Sequence, residues 1–215
     1  MAVFKNLIEQ LLKEIDIKKL GIFPGKFKQT HKGHFITCQE ASKNNNYVLV
    51  LISSKEHEGI TAEKSFKIWE IYKKYLKNVL VFIATPSPVL ATYDLANIFN
   101  NGDFKPSIKS QSPKSNANEI IQNFRELSSI SNVGNNIELN LYSSFEDRVN
   151  FKNILKEPYI GKNVLKIKFK PVKRVTRATE MRNAMKSKQY IDRFLPDVLS
   201  KEDKNLIINI INDRV

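Results

Sequence analysis

Two short segments, Tyr47–Ser53 (YVLVLIS) and Val79–Ala84 (VLVFIA), are continuous, rich in β-formers and free of polar alternation. A strand with one wet face alternates, so runs like these predict strands covered on both faces, as in a parallel sheet flanked by helices. An earlier run at 20–23 leads directly into Pro24 and Gly25. Helical spacing fills the intervals. Residues 33–43 form one candidate, and 62–76 form another, with Phe66, Trp69, Ile71, Tyr72 and Tyr75 largely on one side and Thr61 placed to cap its start. Strand, helix, strand, helix, strand implies right-handed parallel crossovers and an open α/β sheet.

The remainder extends this frame. Residues 137–144 predict a fourth strand and 146–155 a helix. Residues 164–169 (VLKIKF) predict a fifth strand, whose alternating lysines give it one wet or phosphate-facing side. Residues 178–188 and 201–212 read as closing helices, and 190–215 as a C-terminal helical segment. Residues 100–136 are rich in Asn, Ser, Lys and Pro and hold too few apolar side chains for a core of their own. They are read as an insertion or lid, although 118–127 has helical spacing. The whole, 1–215, is expected to be one domain.

Lys and Arg number 35 against 22 Asp and Glu, a formal charge of +13, which suits a polyanionic partner such as a nucleotide, another phosphorylated molecule or nucleic acid. A single cysteine, Cys38, excludes an internal disulfide and a cysteine-rich zinc site. It sits inside the first helix and is read as a packing residue, as is Trp69 in the second. No apolar run reaches the roughly 20 residues of a membrane-spanning helix. Residues 1–10 carry Lys5 and Glu9 and no small-residue cleavage site, which argues against a signal peptide and for a cytoplasmic protein.

The segment carrying most chemistry is Gly25 to His34, GKFKQTHKGH, between the first strand and the first helix. Gly25 permits an unusual backbone angle and close approach by a ligand. Gly33 opens a helix whose free N–H groups and positive dipole end attract phosphate oxygens. His31 and His34, three apart, project to one side of a helical turn, where two imidazoles can donate to a phosphoryl group as charge builds on it. Lys26, Lys28 and Lys32 add positive charge. The same H-x-x-H spacing can also ligate a metal or belong to idle surface residues. The metal reading lacks a third ligand, since His57 is the only other histidine and no nearby carboxylate is available.

The pattern G-[KR]-F-x-x-x-H-x-G-H after the first strand resembles the signature of nucleotidylyltransferases of the cytidylyltransferase-like superfamily. The nearest likeness is to archaeal-type nicotinamide mononucleotide adenylyltransferases and their phage-borne relatives. The resemblance extends to KEHEGITAEK from Lys55, similar to the family's loop after the second strand, and to RATEMR at Arg177 to Arg182, similar to its late S-x-T-x-x-R motif. It implies a Rossmann-like fold and transfer of a nucleoside monophosphate from an NTP to a phosphate acceptor, with release of pyrophosphate. ATP and nicotinamide mononucleotide lead as substrates. Cytidylyl transfer to an alcohol phosphate or phosphorylated amine is the alternative within the class, and a non-catalytic basic nucleic-acid-binding protein the alternative outside it.

Residue by residue, the resemblance implies that His31 and His34 contact the triphosphate and steady the transition state. Lys26 would stand beside the phosphates, and Gly25, Phe27 and Gly33 would belong to the nucleotide-binding loop. Thr179 and Arg182 would hold the β- and γ-phosphates, an arginine fork suiting phosphate oxygens. Two positions depart from the pattern: Arg177 replaces the usual serine, and Gln29 stands where proline is common. Mg²⁺ is expected on the triphosphate and water rather than on protein ligands. Nucleic acid is expected to bind only through charge, no membrane partner is expected, and the chain is free to form oligomers.

Overall fold

The computed structural model of the chain describes residues 19–101, 115–128, 137–155, 164–172, 178–187 and 191–212. Five strands form a single parallel sheet: β1 (Lys19–Gly25), β2 (Tyr47–Ser53), β3 (Val79–Ala84), β4 (Ile137–Ser143) and β5 (Val164–Pro171). Their spatial order is β3-β2-β1-β4-β5. The helices are α1 (Lys32–Asn44), α2 (Ala62–Lys73), α3 (Pro88–Asn101), α4 (Ala117–Ser128), α5 (Ala178–Lys186) and α6 (Lys201–Asn212).

The unalternating runs are buried on both sides, as their composition demands. From β2, Val48, Val50 and Ile52 join one core with Phe35, Trp69 and Ile207, so α1, α2 and α6 lie on that face. Leu49 and Leu51 enter the opposite core with Leu95, Phe99, Ile120 and Phe124, from α3 and α4. Thr61 caps α2 as its position predicts, its side chain accepting from Lys64 N–H at 3.2 Å. Cys38 and Trp69 are fully buried, in agreement with packing roles, and burial pushes the Cys38 thiol up from its ordinary value.

Three expectations need revision. The helical spacing at 118–127 belongs to α4, which buries Ile120, Ile121 and Phe124 against the sheet. That part of the polar stretch is a layer of the fold, while 102–114 and 129–136 lie outside the described residues. Helix α3, absent from the sequence reading, completes the same layer with Leu95 and Phe99. At 146–155 the structure has a 3₁₀ segment, Glu146–Phe151, rather than an α-helix. The apolar contact is confined to the end of the segment, where Phe151 and Ile154 are buried and Leu155 partly so, while Phe145 and Val149 one and two turns earlier stay exposed, so no stripe runs the length of a full helix. Among the described residues, no helix is long and apolar enough to cross a membrane.

Strand order reverses beside β1: the chain runs outward through β2 and β3, then returns to place β4 on β1's other side. In open α/β sheets such a reversal leaves a crevice at the carboxyl ends of the two strands, where the connecting segments part in opposite directions. Residues 25–34 leave β1 at that point.

Candidate active site at the carboxyl ends of the strands

The loop between β1 and α1 is fixed by its own buried contacts. Phe27 has φ of +49°, a left-handed conformation costly for a residue with a Cβ. It is held because its ring packs edge-on against Phe23, Trp69 and His34, with centroids 4.9, 5.2 and 5.1 Å away. A Cβ on Gly25 would come within 2.7 Å of the Phe27 ring, so the space this glycine leaves is filled by that ring. Gly25 also has no left-handed φ; that conformation passes to Phe27. Phe27 itself is 3% exposed, and its ring forms the platform under His34.

The loop is tied to its neighbours by hydrogen bonds. The Thr30 hydroxyl donates to Phe27 C=O at 2.7 Å, and the Tyr72 hydroxyl donates to Thr30 C=O at 3.3 Å. Lys28 turns inward and donates to Ser53 C=O at the end of β2 at 2.8 Å. Burial lowers its pKa, and its charge joins two strand ends instead of facing the turn, as the sequence suggested. Lys26 is exposed.

His31 is the N-cap of α1, and the two histidines form a reciprocal cap. His31 Nδ1 accepts from Gly33 N–H at 3.1 Å, and His34 Nδ1 accepts from His31 N–H at 3.3 Å. Their rings stack with centroids 3.9 Å apart, 23° from parallel. Because each Nδ1 faces a backbone N–H, it must carry a lone pair, so the ring proton of each resides on Nε2. Protonating either ring would set N–H against N–H. Burial agrees with this, lowering His31 to about 4 and His34 well below its ordinary value, with His31 as a further cause for His34. The result is two neutral Nε2–H donors, side by side at the positive end of a helix.

The second group lies on α5. Arg182 donates through Nη2 to the Thr179 hydroxyl at 2.9 Å, bringing the two late-motif residues together. Arg177 lies outside the described residues. Sequence reasoning missed the residue that joins α5 to the first loop, Glu58. Its carboxylate lies 3.5 Å from Arg182 Nε and 3.9 Å from Lys186 Nζ, and accepts from Gln29 Nε2 at 3.4 Å. Glu58 stands at φ +53° in a tight turn with Gly59 at φ +75°, closed by His57 and Ile60 through backbone bonds of 3.3 and 3.1 Å. The signal available was the Glu58-Gly59 pair after a strand, a composition that marks a tight turn.

A groove of about 400 Å³ runs between α1 and the β4–β5 face, lined by Thr37, Asn140, Tyr142, Lys168 and Lys170 among others. It begins one turn from the histidines, since the Thr37 hydroxyl donates to Gly33 C=O at 2.9 Å. The lysine side of β5 is therefore a groove wall, in which Lys168 pairs with Glu138. Among the described residues, no three His, Cys, Asp or Glu side chains converge as metal ligands.

These features define a Rossmann-like α/β protein with a histidine-capped helix after its first strand. Solved structures share that fold. One, from Vibrio parahaemolyticus and assigned as a nicotinate-nucleotide adenylyltransferase, is 17% identical with a TM-score of 0.50, covering 89% of this chain and 99% of its own. Another, a bifunctional NMN adenylyltransferase/ADP-ribose pyrophosphatase from Francisella tularensis complexed with AMP and a manganese ion, is 14% identical with a TM-score of 0.53. That match covers 92% of this chain and 52% of that one. In sequence, the chain matches no protein-family profile and no curated protein.

Proposed function

We propose that the chain is a nucleotidylyltransferase that moves a nucleoside monophosphate from a Mg²⁺–NTP complex to a phosphorylated acceptor and releases pyrophosphate. ATP and nicotinamide or nicotinate mononucleotide stand first as substrates, in keeping with the signature residues and with the names of the structural relatives. The observation that carries this reading is the paired histidine cap: two neutral Nε2–H donors, fixed in tautomer by backbone, at a helix start beside the switch of the sheet.

Such donors suit the chemistry. An acceptor phosphate oxygen attacks the α-phosphorus in line, forming the new P–O bond. The bond to the bridging oxygen breaks, and its electron pair leaves with pyrophosphate. An ionised phosphate acceptor is already a nucleophile, so no protein base is needed, and catalysis rests on position and electrostatics. His31 and His34 would donate to the α-phosphoryl oxygens as they gain charge. Neutral donors resist bulk protonation and need no reorganisation at the moment of reaction. Arg182 and Thr179 would hold the β- and γ-phosphates. Mg²⁺ would arrive on the triphosphate and keep part of its water. The groove beside α1 is of a size to take the nucleoside, with the Tyr142 hydroxyl and the Lys170 side chain among its lining groups.

The experiment is a pyrophosphate-release screen of the four NTPs against pyridine mononucleotides, alcohol phosphates and phosphorylated amines with Mg²⁺. Release that depends on both an NTP and an acceptor is expected. No release from any pair would remove the transferase reading.

A further inference from the structure

Arg182, assigned above to phosphate, and its neighbour Lys186 already face an anion belonging to the chain. Arg182 and Lys186 lie one helical turn apart on α5, and both face the Glu58 carboxylate, at 3.5 and 3.9 Å. Gln29, inside the loop that ends in the histidine pair, donates to the same carboxylate at 3.4 Å. These contacts are long, and the side chains remain accessible: 27% for Arg182, 36% for Glu58 and 73% for Lys186. Water screens such pairs, so each is worth little alone. Glu58 is nonetheless aimed at them by a turn with two consecutive left-handed residues, pinned by the His57–Ile60 bonds.

We propose that Glu58 is an internal stand-in for substrate phosphate, a latch that holds Arg182, Lys186 and Gln29 in the nucleotide-free chain and is displaced when a polyphosphate binds. This rests on the reading of α5 as a phosphate clamp. One carboxylate charge spread over three partners cannot match a polyphosphate, which brings several charges and many acceptor oxygens to the same two cations. Displacement also releases Gln29, so occupation of the clamp is felt in the loop that carries His31. The latch keeps two cations from facing each other unscreened, and it lowers apparent affinity by the fraction of molecules in which Glu58 is seated. A residue that positioned Arg182 for substrate would act in the opposite sense, because its loss would weaken binding.

The test is calorimetric titration of inorganic tripolyphosphate into the full chain, at fixed ionic strength, for wild type, Glu58→Gln, Glu58→Asp, Arg182→Ala and Glu119→Gln. The last removes the same unit of charge from an exposed position on α4, on the other face of the sheet. The latch predicts that Glu58→Gln binds about threefold to tenfold more tightly than wild type, as freeing a partly blocked site should. Glu58→Asp should fall between, Glu119→Gln should match wild type, and Arg182→Ala should lose most of the affinity. Unchanged or weaker binding by Glu58→Gln, equal tightening by Glu119→Gln, or no tripolyphosphate binding by any variant would overturn the latch. Nucleotidyl transfer is read separately. Tightening without transfer from any NTP would sink the transferase reading alone, and transfer without tightening would sink the latch alone.

Discussion

The histidine end of the site is built from buried backbone and bonds of 2.7 to 3.3 Å, with Phe27, Thr30 and Tyr72 beneath it. The arginine end consists of accessible side chains on α5, held through Glu58 at 3.5 and 3.9 Å. On the reading proposed, the first end would meet a ligand without rearrangement, and the second would exchange partners when a ligand comes. The division follows the reaction proposed. Charge at the α-phosphorus changes during a single bond-making step, where prearranged donors are worth most. The β- and γ-phosphates must enter and then depart as pyrophosphate, and a clamp too rigid would retain them.

The largest effect expected from breaking this contrast is at the rigid end. His34→Ala removes one of two fixed Nε2–H donors, and turnover should fall about a hundredfold to a thousandfold, as for loss of one oxyanion-type donor. The change also takes away the acceptor for His31 N–H, so stability should fall by about 1 kcal/mol, measured separately by urea unfolding. Turnover near wild type would remove His34 from the mechanism.

Acid should strike the same end next. His31 sits at about 4 in the folded chain against an ordinary 6.5, because it is buried with Nδ1 already engaged. The unfolded chain therefore binds more protons below pH 6.5. The His31 contribution is fully retained above that value and lost as pH falls from 6.5 toward 4, by about 3 kcal/mol in all. His31→Asn keeps a capping side chain without the titration, so the difference between the two urea-stability curves should slope across that window. Parallel curves there would show that His31 is not held neutral by the fold.

The adjustable end should give a smaller effect of a different kind. Arg182→Lys keeps the charge and loses the fork that reaches Thr179. If the clamp acts mainly on departing pyrophosphate, kcat falls about tenfold and KM for the NTP changes little. A raised KM with unchanged kcat would mean equal action on bound substrate and transition state. Arg177→Ala is the companion: a large loss there, with Arg182→Lys unaffected, would transfer the late motif's arginine role to Arg177.

The same contrast governs what could be read from sequence. The five strands and the paired histidines follow from local patterns, unalternating apolar runs and a three-residue spacing, whereas the strand order, and with it the switch beside β1, depends on long-range pairing that no local pattern carries. Glu58 was invisible because its importance lies in contacts with Gln29 and α5, which come together only through the fold. Lys28 misled for a related reason. As a lysine in a basic loop it reads as surface charge, yet its ammonium bonds Ser53 C=O in the interior. At Gly25 the fold adds a reason for glycine that the sequence did not carry: a Cβ there would meet the Phe27 ring. The 3₁₀ segment after β4 shows the limit of periodicity when only two side chains in a predicted helix are buried.

The smallest expected effect tests whether rigidity beneath the histidines matters in itself. Tyr72 is fully buried, and its hydroxyl donates to Thr30 C=O, one residue before the histidine cap. Tyr72→Phe keeps the ring and its edge-on contacts with Phe35 and Trp69, whose centroids lie 5.3 and 5.6 Å away, and deletes only the donor. At 3.3 Å the bond is long, so the stability cost should be about 1 kcal/mol or less, a fall of roughly 2–4 °C in Tm at this chain length. If the loop owes its geometry to this tether, kcat should fall about threefold, because slight misplacement of donors weakens them at the transition state. KM for the NTP should hold, since α5 is untouched. A loss of stability without a loss of kcat would assign Tyr72 to the core alone and leave Phe27 to orient His34.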